Sequence, residues 1–143
     1  MSPTPASKFI VALGGALFSA EGKLLLLRRI SGEWALPGGM LEVGESPEIG
    51  LVRSFQESTG MEVSVDRPLG AWSAQNSAGE SRVQIDFTVR HSSALLGVEI
   101  DSERYSGFAW CLASEVGSKL EMHAAAASVQ RAFATLARTR KNL

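Results

Sequence analysis

With a single cysteine, Cys111, the chain cannot form an internal disulfide, and it suits a reducing compartment. The neighbours of that cysteine, "FAWCLA", are apolar, which reads as a buried structural thiol and not a nucleophile. Two histidines, His91 and His123, stand without the partner spacing of a zinc site. Charge of one sign is also missing: a formal net charge of -1 gives no global pull toward nucleic acid or an anionic membrane. The longest apolar run, "FIVALGGALFSA", falls well short of the roughly 20 residues that a spanning helix requires. The N-terminal "MSPTPAS" lacks the basic and apolar segments of a signal peptide. The expected location is the cytoplasm. No repeat or low-complexity linker divides the 143 residues, so one domain over 8–140 is expected, between a flexible tail at 1–7 and a short one at 141–143.

What is present is a mixture of strands with few helices. "KFIVALGGALFS", residues 8–19, reads as a strand, with Gly14-Gly15 suggesting a bulge or bend. "AEGK" turns the chain into "LLLLRRI", residues 24–30, a buried strand ending in Arg28 and Arg29. "MEVSVD" and "GAWSA" are expected as two short strands. In "SRVQIDFTVRH", Val83, Ile85, Phe87 and Val89 point one way and Arg82, Gln84, Asp86 and Thr88 the other. "RYSGFAWCLA" is a late strand, and 121–140 is an Ala-rich helix with Val129, Phe133 and Leu136 on one side. Such a mixture points to a sheet covered by helices.

The most informative stretch is "PGGMLEVGESPEIGLVRSFQESTG", Pro37 to Gly60. Ser46 is suited to cap a helix, Pro47 to its first position and Gly60 to its end. At about 100° per residue, Ile49, Leu51, Val52 and Phe55 gather on an apolar side. Arg53, Ser54, Glu57 and Ser58 gather opposite them, within an arc of roughly 140°. Ahead of the helix, Pro37-Gly38-Gly39 permits a tight turn whose backbone can approach a ligand closely. A solvated helix face is the plain reading of the polar side; the glycine turn and the carboxylates of Glu42 and Glu45 argue for a site.

The spacing resembles the Nudix family, whose signature is G-x5-E-x7-R-E-U-x-E-E-x-G-U with U apolar. Gly39, Glu45, Arg53, Phe55, Glu57, Gly60 and Met61 match it, and "WALPGG" and "GFAWCLASEV" resemble the family's flanks. The resemblance implies an α/β fold, an α/β/α sandwich with a mixed β-sheet between helices. It implies a hydrolase that cleaves a diphosphate linkage in a nucleoside-diphosphate derivative, with Mg²⁺ or Mn²⁺ held by helix glutamates and a glycine-loop carbonyl. Carried over residue by residue, the metal positions are Gly39 and Glu57, and Glu45 with Arg53 is the ion pair tying loop to helix. Glu57, Glu45 and Arg53 form the candidate catalytic group.

Two signature glutamates are absent, replaced by Ser54 and Ser58. Serine brings no negative charge and is no base near neutral pH. Fewer ions than the family commonly holds are therefore expected, because the missing charge would have opposed their mutual repulsion. An acid from elsewhere is a candidate base: Glu80, Asp86, Glu99, Asp101 or Glu103, each of which also reads as a surface charge. Three functions stay open: a hydrolase with a reduced site, a domain that binds a nucleotide-like ligand without cleaving it, and a scaffold for interaction. Arg28 or Arg29 is a candidate for phosphate oxygens, since neighbours on a strand point oppositely. Trp34 either packs beneath the glycine turn or stacks on a base, and Trp72 is a candidate pocket wall. Arg138, Arg140 and Lys141 read as complements to a helix dipole, not a nucleic-acid tail. A small nucleotide-like diphosphate is the expected partner, and a homodimer involving the apolar first strand is a further candidate.

Overall fold

A computed structural model describes residues 8–75, 79–91, 97–120 and 123–141, with the side chains of residues 123–125 and 140–141 excepted. Residues 1–7 and 142–143 of the expected tails, and the side chains of His123, Arg140 and Lys141, lie outside that description, while the backbone of Lys141 belongs to the last helix. Among the described residues, seven strands and three helices run in the order β1 (Phe9–Ala16), β2 (Leu24–Arg29), β3 (Trp34–Ala35), β4 (Gly38–Met40), α1 (Pro47–Thr59), β5 (Val63–Gln75), β6 (Ser81–His91), β7 (Tyr105–Cys111), α2 (Ala113–Val116) and α3 (His123–Lys141).

The strand layer consists of two sheets where the sequence suggests one. A four-stranded mixed sheet has the order β4-β1-β6-β5, with β1 and β6 parallel; a three-stranded antiparallel sheet has the order β3-β2-β7. The β1–β2 turn joins them. Ser19 and Lys23 close it, with Ser19 N donating to Lys23 O at 2.8 Å. The β2 strand is buried on both faces, which explains its unbroken leucines. Leu25 and Leu27 enter a core with Leu51, Phe55 and Phe87, while Leu24 and Leu26 enter another with Leu69, Cys111 and Val129. Helix α1 covers the first core and α3 the second, so the strands lie between helices. Cys111 is buried, as its neighbours suggest.

Three local expectations are corrected. The Gly14-Gly15 pair makes no bulge: β1 pairs with β6 without a shift from Phe9↔Ser81 to Ala16↔Thr88. Those glycines are small because side chains press on them from both faces. A Cβ on Gly14 would stand 2.5 Å from Asp86 Oδ1, and one on Gly15 would stand 3.0 Å from the Phe55 ring. "MEVSVD" and "GAWSA" belong to one long strand, β5, whose two register shifts against β6 accommodate the interruption around Pro68. The third correction concerns α1, whose buried stripe is Gly50, Leu51, Ser54, Phe55, Ser58 and Thr59, whereas Ile49 is 65% exposed. The helix is turned so that Gly50 meets Leu13 and Leu41, which leaves Ile49 outside the contact. No helix among the described residues is long and apolar enough to cross a membrane.

Candidate functional site

The loop from Gly38 to Ser46 is held to α1 by a single guanidinium. Arg53 Nε donates to Glu45 Oε2 at 2.7 Å and Nη2 to Glu45 Oε1 at 2.9 Å, a two-pronged contact that planar guanidinium geometry favours. Nη2 also donates to the Met40 carbonyl at 2.8 Å, and Nη1 to Glu57 Oε2 at 3.0 Å. Glu45 Oε1 in turn accepts from the Glu42 backbone at 2.9 Å. The hydrogen bond from Arg53, then that from the Glu42 backbone, hold the Glu45 carboxyl below the usual range. The same pairing with Glu45 raises Arg53. The helix beneath is locally well specified: Ser46 Oγ accepts from Ile49 N, Pro47 opens the first turn and Gly60 closes the last in a left-handed conformation.

Ser54 and Ser58 do not join the polar face with Arg53 and Glu57. They are 1% and 0% exposed. Their hydroxyls donate back to helix carbonyls, Ser54 to Leu51 at 3.3 Å and Ser58 to Phe55 at 3.2 Å. The reason is steric as well as polar. A Cβ on Gly39 would stand 2.9 Å from Ser54 Cβ, so a small side chain lets β4 settle on the helix. Over Ser58 the chain before β7 descends, with Asp101 N donating to the Ser58 carbonyl at 3.2 Å and Glu99 N to the Thr59 carbonyl at 2.8 Å. Both serines have become packing positions.

The glycine turn also differs from expectation. Gly15 N donates to Pro37 O and Leu41 N to Val11 O, and Leu13↔Gly39 lies midway between these pairs. Alternation in an antiparallel ladder makes Leu13–Gly39 a hydrogen-bonded pair, so the Gly39 carbonyl is directed into β1 and away from any ligand. Gly38 falls on the other parity, and β4 is an edge strand, so the Gly38 carbonyl faces the open side. Of the expected metal donors only Glu57 remains exposed, with one oxygen committed to Arg53. It also lies in the field of Arg104, a residue whose pKa is raised first by its hydrogen bond to Asp101. No cluster of three or more His, Cys, Asp or Glu suited to a metal occurs among the described residues. This donor set does not fit a resident group of Mg²⁺ or Mn²⁺ ions.

Beside the turn lies a cavity of about 490 Å³, large enough for a nucleotide fragment. Leu36, Gly38 and Gly39 line it together with Arg29 and Trp34, and Lys119 and Val129 line it from the α2–α3 side. Its remaining wall is sheet surface: Trp72 on β5 with Arg82, Gln84 and Asp86 on β6. Trp72 pairs with Gln84 across the strands, so these side chains share a face. Asp86 is 2% exposed. It accepts from Gln84 Nε2 at 2.8 Å and more loosely from Trp72 Nε1 at 3.4 Å. Burial pushes its carboxyl above the usual range, against the opposing influence of Gln84, Ser128 and Trp72. Arg82 lies 5.8 Å from the Trp72 ring centroid, and Lys119 Nζ lies 4.3 Å from that of Trp34.

The residues expected from sequence therefore separate into two groups. Glu45, Arg53 and Glu57 are brought together by direct bonds. Arg29 and Trp34 line the cavity, whereas Arg28 is exposed outside it. Trp34 also packs against the second core. Of the candidate acids, Asp101 is committed to Arg104 at 2.8 Å, while Glu99 and Glu103 are exposed. Glu80 is exposed just before β6. Only Asp86 enters the cavity. Lys119 carries no sequence signal, whereas Gln84 and Asp86 were marked by the alternation of β6, which sets them opposite Val83, Ile85 and Phe87.

Comparison with known proteins agrees with this architecture. A MutT-like protein of Streptomyces ambofaciens is 33% identical over 111 residues, covering 77% of this chain and 68% of that protein. An ADP-ribose pyrophosphatase of Methanocaldococcus jannaschii is 38% identical over 68 residues; the match spans 45% of this chain and only 40% of that enzyme. A NUDIX hydrolase from Nitrosomonas europaea superposes with a TM-score of 0.76 at 20% identity, covering 90% of each chain, a likeness of fold. The NUDIX domain family matches residues 8–133. With its loop-to-helix clamp intact and serines at two signature acid positions packed into the core, the chain belongs to the NUDIX domain family.

Proposed function

We propose that this protein hydrolyses a diphosphate linkage in a nucleoside-diphosphate derivative, at a site in the cytoplasm and with weakened dependence on Mg²⁺ or Mn²⁺. The observation that supports it most directly is the position of the cavity. Gly38 and Gly39 of the signature loop line it, so a base held against the β6 wall would bring its diphosphate toward the turn. Arg29, which also lines the cavity, could take phosphate oxygens with its guanidinium fork. Arg53 orients Glu57 by holding one carboxylate oxygen, and the other is free to accept a proton from water. Because the donor set does not hold a resident ion, dependence on Mg²⁺ or Mn²⁺ is expected to be weak, and any ion would arrive with the substrate's phosphates.

Release of phosphate or nucleoside monophosphate from a panel of nucleoside-diphosphate derivatives tests this, measured with Mg²⁺, with Mn²⁺ and in chelator. Slow turnover is expected, falling by about 10²-fold in Glu57→Gln. Turnover indifferent to that substitution would overturn the assignment. A second reading, a domain that binds such a ligand without cleaving it, is favoured by one observation: the inward hydroxyls of Ser54 and Ser58. Its signature is saturable binding with no product under any metal condition.

A further inference from the structure

The cavity wall holds a carboxylate that the fold alone does not explain. Asp86 is almost wholly buried, yet no cation pairs with it among the described ion pairs. Arg82 acts on it only through its charge, without an ion-pair contact, and a buried carboxylate with so little direct compensation is costly. It also has capacity to spare. A carboxylate offers about four lone-pair sites. Gln84 takes one at 2.8 Å, and Trp72 takes another only weakly at 3.4 Å. Ser128, buried on α3, approaches the carboxyl, but its hydroxyl has no well-formed hydrogen bond. It is the one buried side-chain oxygen or nitrogen among the described residues in that state. The Asp86 carboxyl on the cavity wall and the Ser128 hydroxyl behind it, which does not itself line the cavity, are thus both under-bonded.

Gln84 adds to the imbalance. Because its Nε2 donates to Asp86, its amide orientation is fixed by the carboxylate, and its oxygen remains an acceptor without a described partner. Gly14 is what admits them: a Cβ there would meet Asp86 Oδ1 at 2.5 Å and Gln84 Nε2 at 3.0 Å. The wall therefore presents a surplus of acceptors at fixed positions, beside the Trp72 indole. A ligand that relieves it must bring donors on one edge.

Resting on the nucleotide reading given above, we propose that Asp86, with Gln84, selects a base whose edge carries two adjacent donors, a ring N–H next to an exocyclic amine, as in a guanine-type ring. An adenine-type edge alternates donor and acceptor, and a uracil-type edge offers one donor between two acceptors; each would set a lone pair against the carboxylate. Removing the exocyclic amine while keeping the ring N–H, as in the hypoxanthine base, discards half the recognition. Asp86 acts here as a specificity residue on the base and has no part in the hydrolytic step.

The test is titration of the full chain with GDP, IDP, ADP and UDP in chelator, followed by the quenching of its tryptophan fluorescence. GDP is expected to bind about tenfold more tightly than IDP, and at least as much more tightly than ADP or UDP, in line with two-point readout of a base edge. Asp86→Asn should bring GDP and IDP within about twofold of each other. Gln84→Leu, which leaves the carboxylate in place, should reduce the preference only in part and keeps the test available if Asp86→Asn does not fold. Equal affinity of the wild type for GDP and IDP, or a preference for ADP, would overturn the inference even where all are hydrolysed, which would leave the proposed function standing. Failure to bind or cleave any nucleoside diphosphate derivative would overturn both.

Discussion

The helix α1 and the strand β6 flank the same turn-and-cavity region but handle polar groups in opposite ways. On α1, polar capacity is largely consumed internally: four of the five Arg53 donors go to Glu45, Glu57 and the Met40 carbonyl, and the two serine hydroxyls bond their own helix. On β6, Asp86 is buried and Gln84 half-buried, with acceptors to spare. The helix carries the family signature and the strand carries none of it. Yet hydrogen-bonding capacity left over inside a cavity is what a ligand can use, whereas charge already matched within the fold mainly stabilises the fold. The contrast is the basis for the proposal that binding lies on the strand and that the helix has a reduced role in chemistry.

The largest expected effect comes from forcing the helix to resemble its signature. Ser54→Glu with Ser58→Glu places two carboxylates at positions that are now buried under β4 and the chain before β7. A loss of about 3 kcal/mol is expected for uncompensated buried charge, a fall of roughly 6–12 °C in midpoint for a chain of this size. Millimolar Mn²⁺ should return part of that fall in the double variant and shift the wild type by no more than about 1 °C. A double variant as stable as the wild type would show that the serines are not packing positions, and the contrast would break.

A smaller effect sharpens the other side. Since burial raises the Asp86 carboxyl, the folded protein holds that proton more tightly than the unfolded chain. Ionised Asp86 therefore costs stability, a cost that grows as pH rises from the unfolded aspartate value of about 3.9 through the raised folded value. Asp86→Asn should raise the ligand-free midpoint at neutral pH by on the order of 2–4 °C, a gain that vanishes below about pH 4. Calorimetry across pH measures it. A variant less stable than the wild type at pH 7 would mean that Asp86 is retained for the fold and not for a ligand.

Much of this was legible in the sequence, and the places where it was not have physical causes. Ser46, Pro47 and Gly60 fixed the bounds of α1, because caps are local chemistry. The rotation of that helix was not legible. Ile49 and Ser54 read as core and surface by polarity, but Gly50 and the two serines are the residues small enough to let β4 and the chain before β7 approach. Close packing favoured their size over their polarity. The alternation of β6 gave the correct faces, yet alternation alone could not tell a solvated face from a cavity wall; that depended on α3 folding back to place Ser128 and Val129 across it. The parity of Gly38 and Gly39 was likewise invisible, since it is set by the register of β4 against β1.

The most direct measurement is the affinity of GDP for the wild-type chain, by calorimetric titration in excess chelator and again in millimolar Mn²⁺. If the ligand is held by the strand wall and not through a metal on the helix, the two dissociation constants should agree within about threefold. Binding that appears only with Mn²⁺ would contradict the account, placing the affinity on the helix and making Asp86 a bystander.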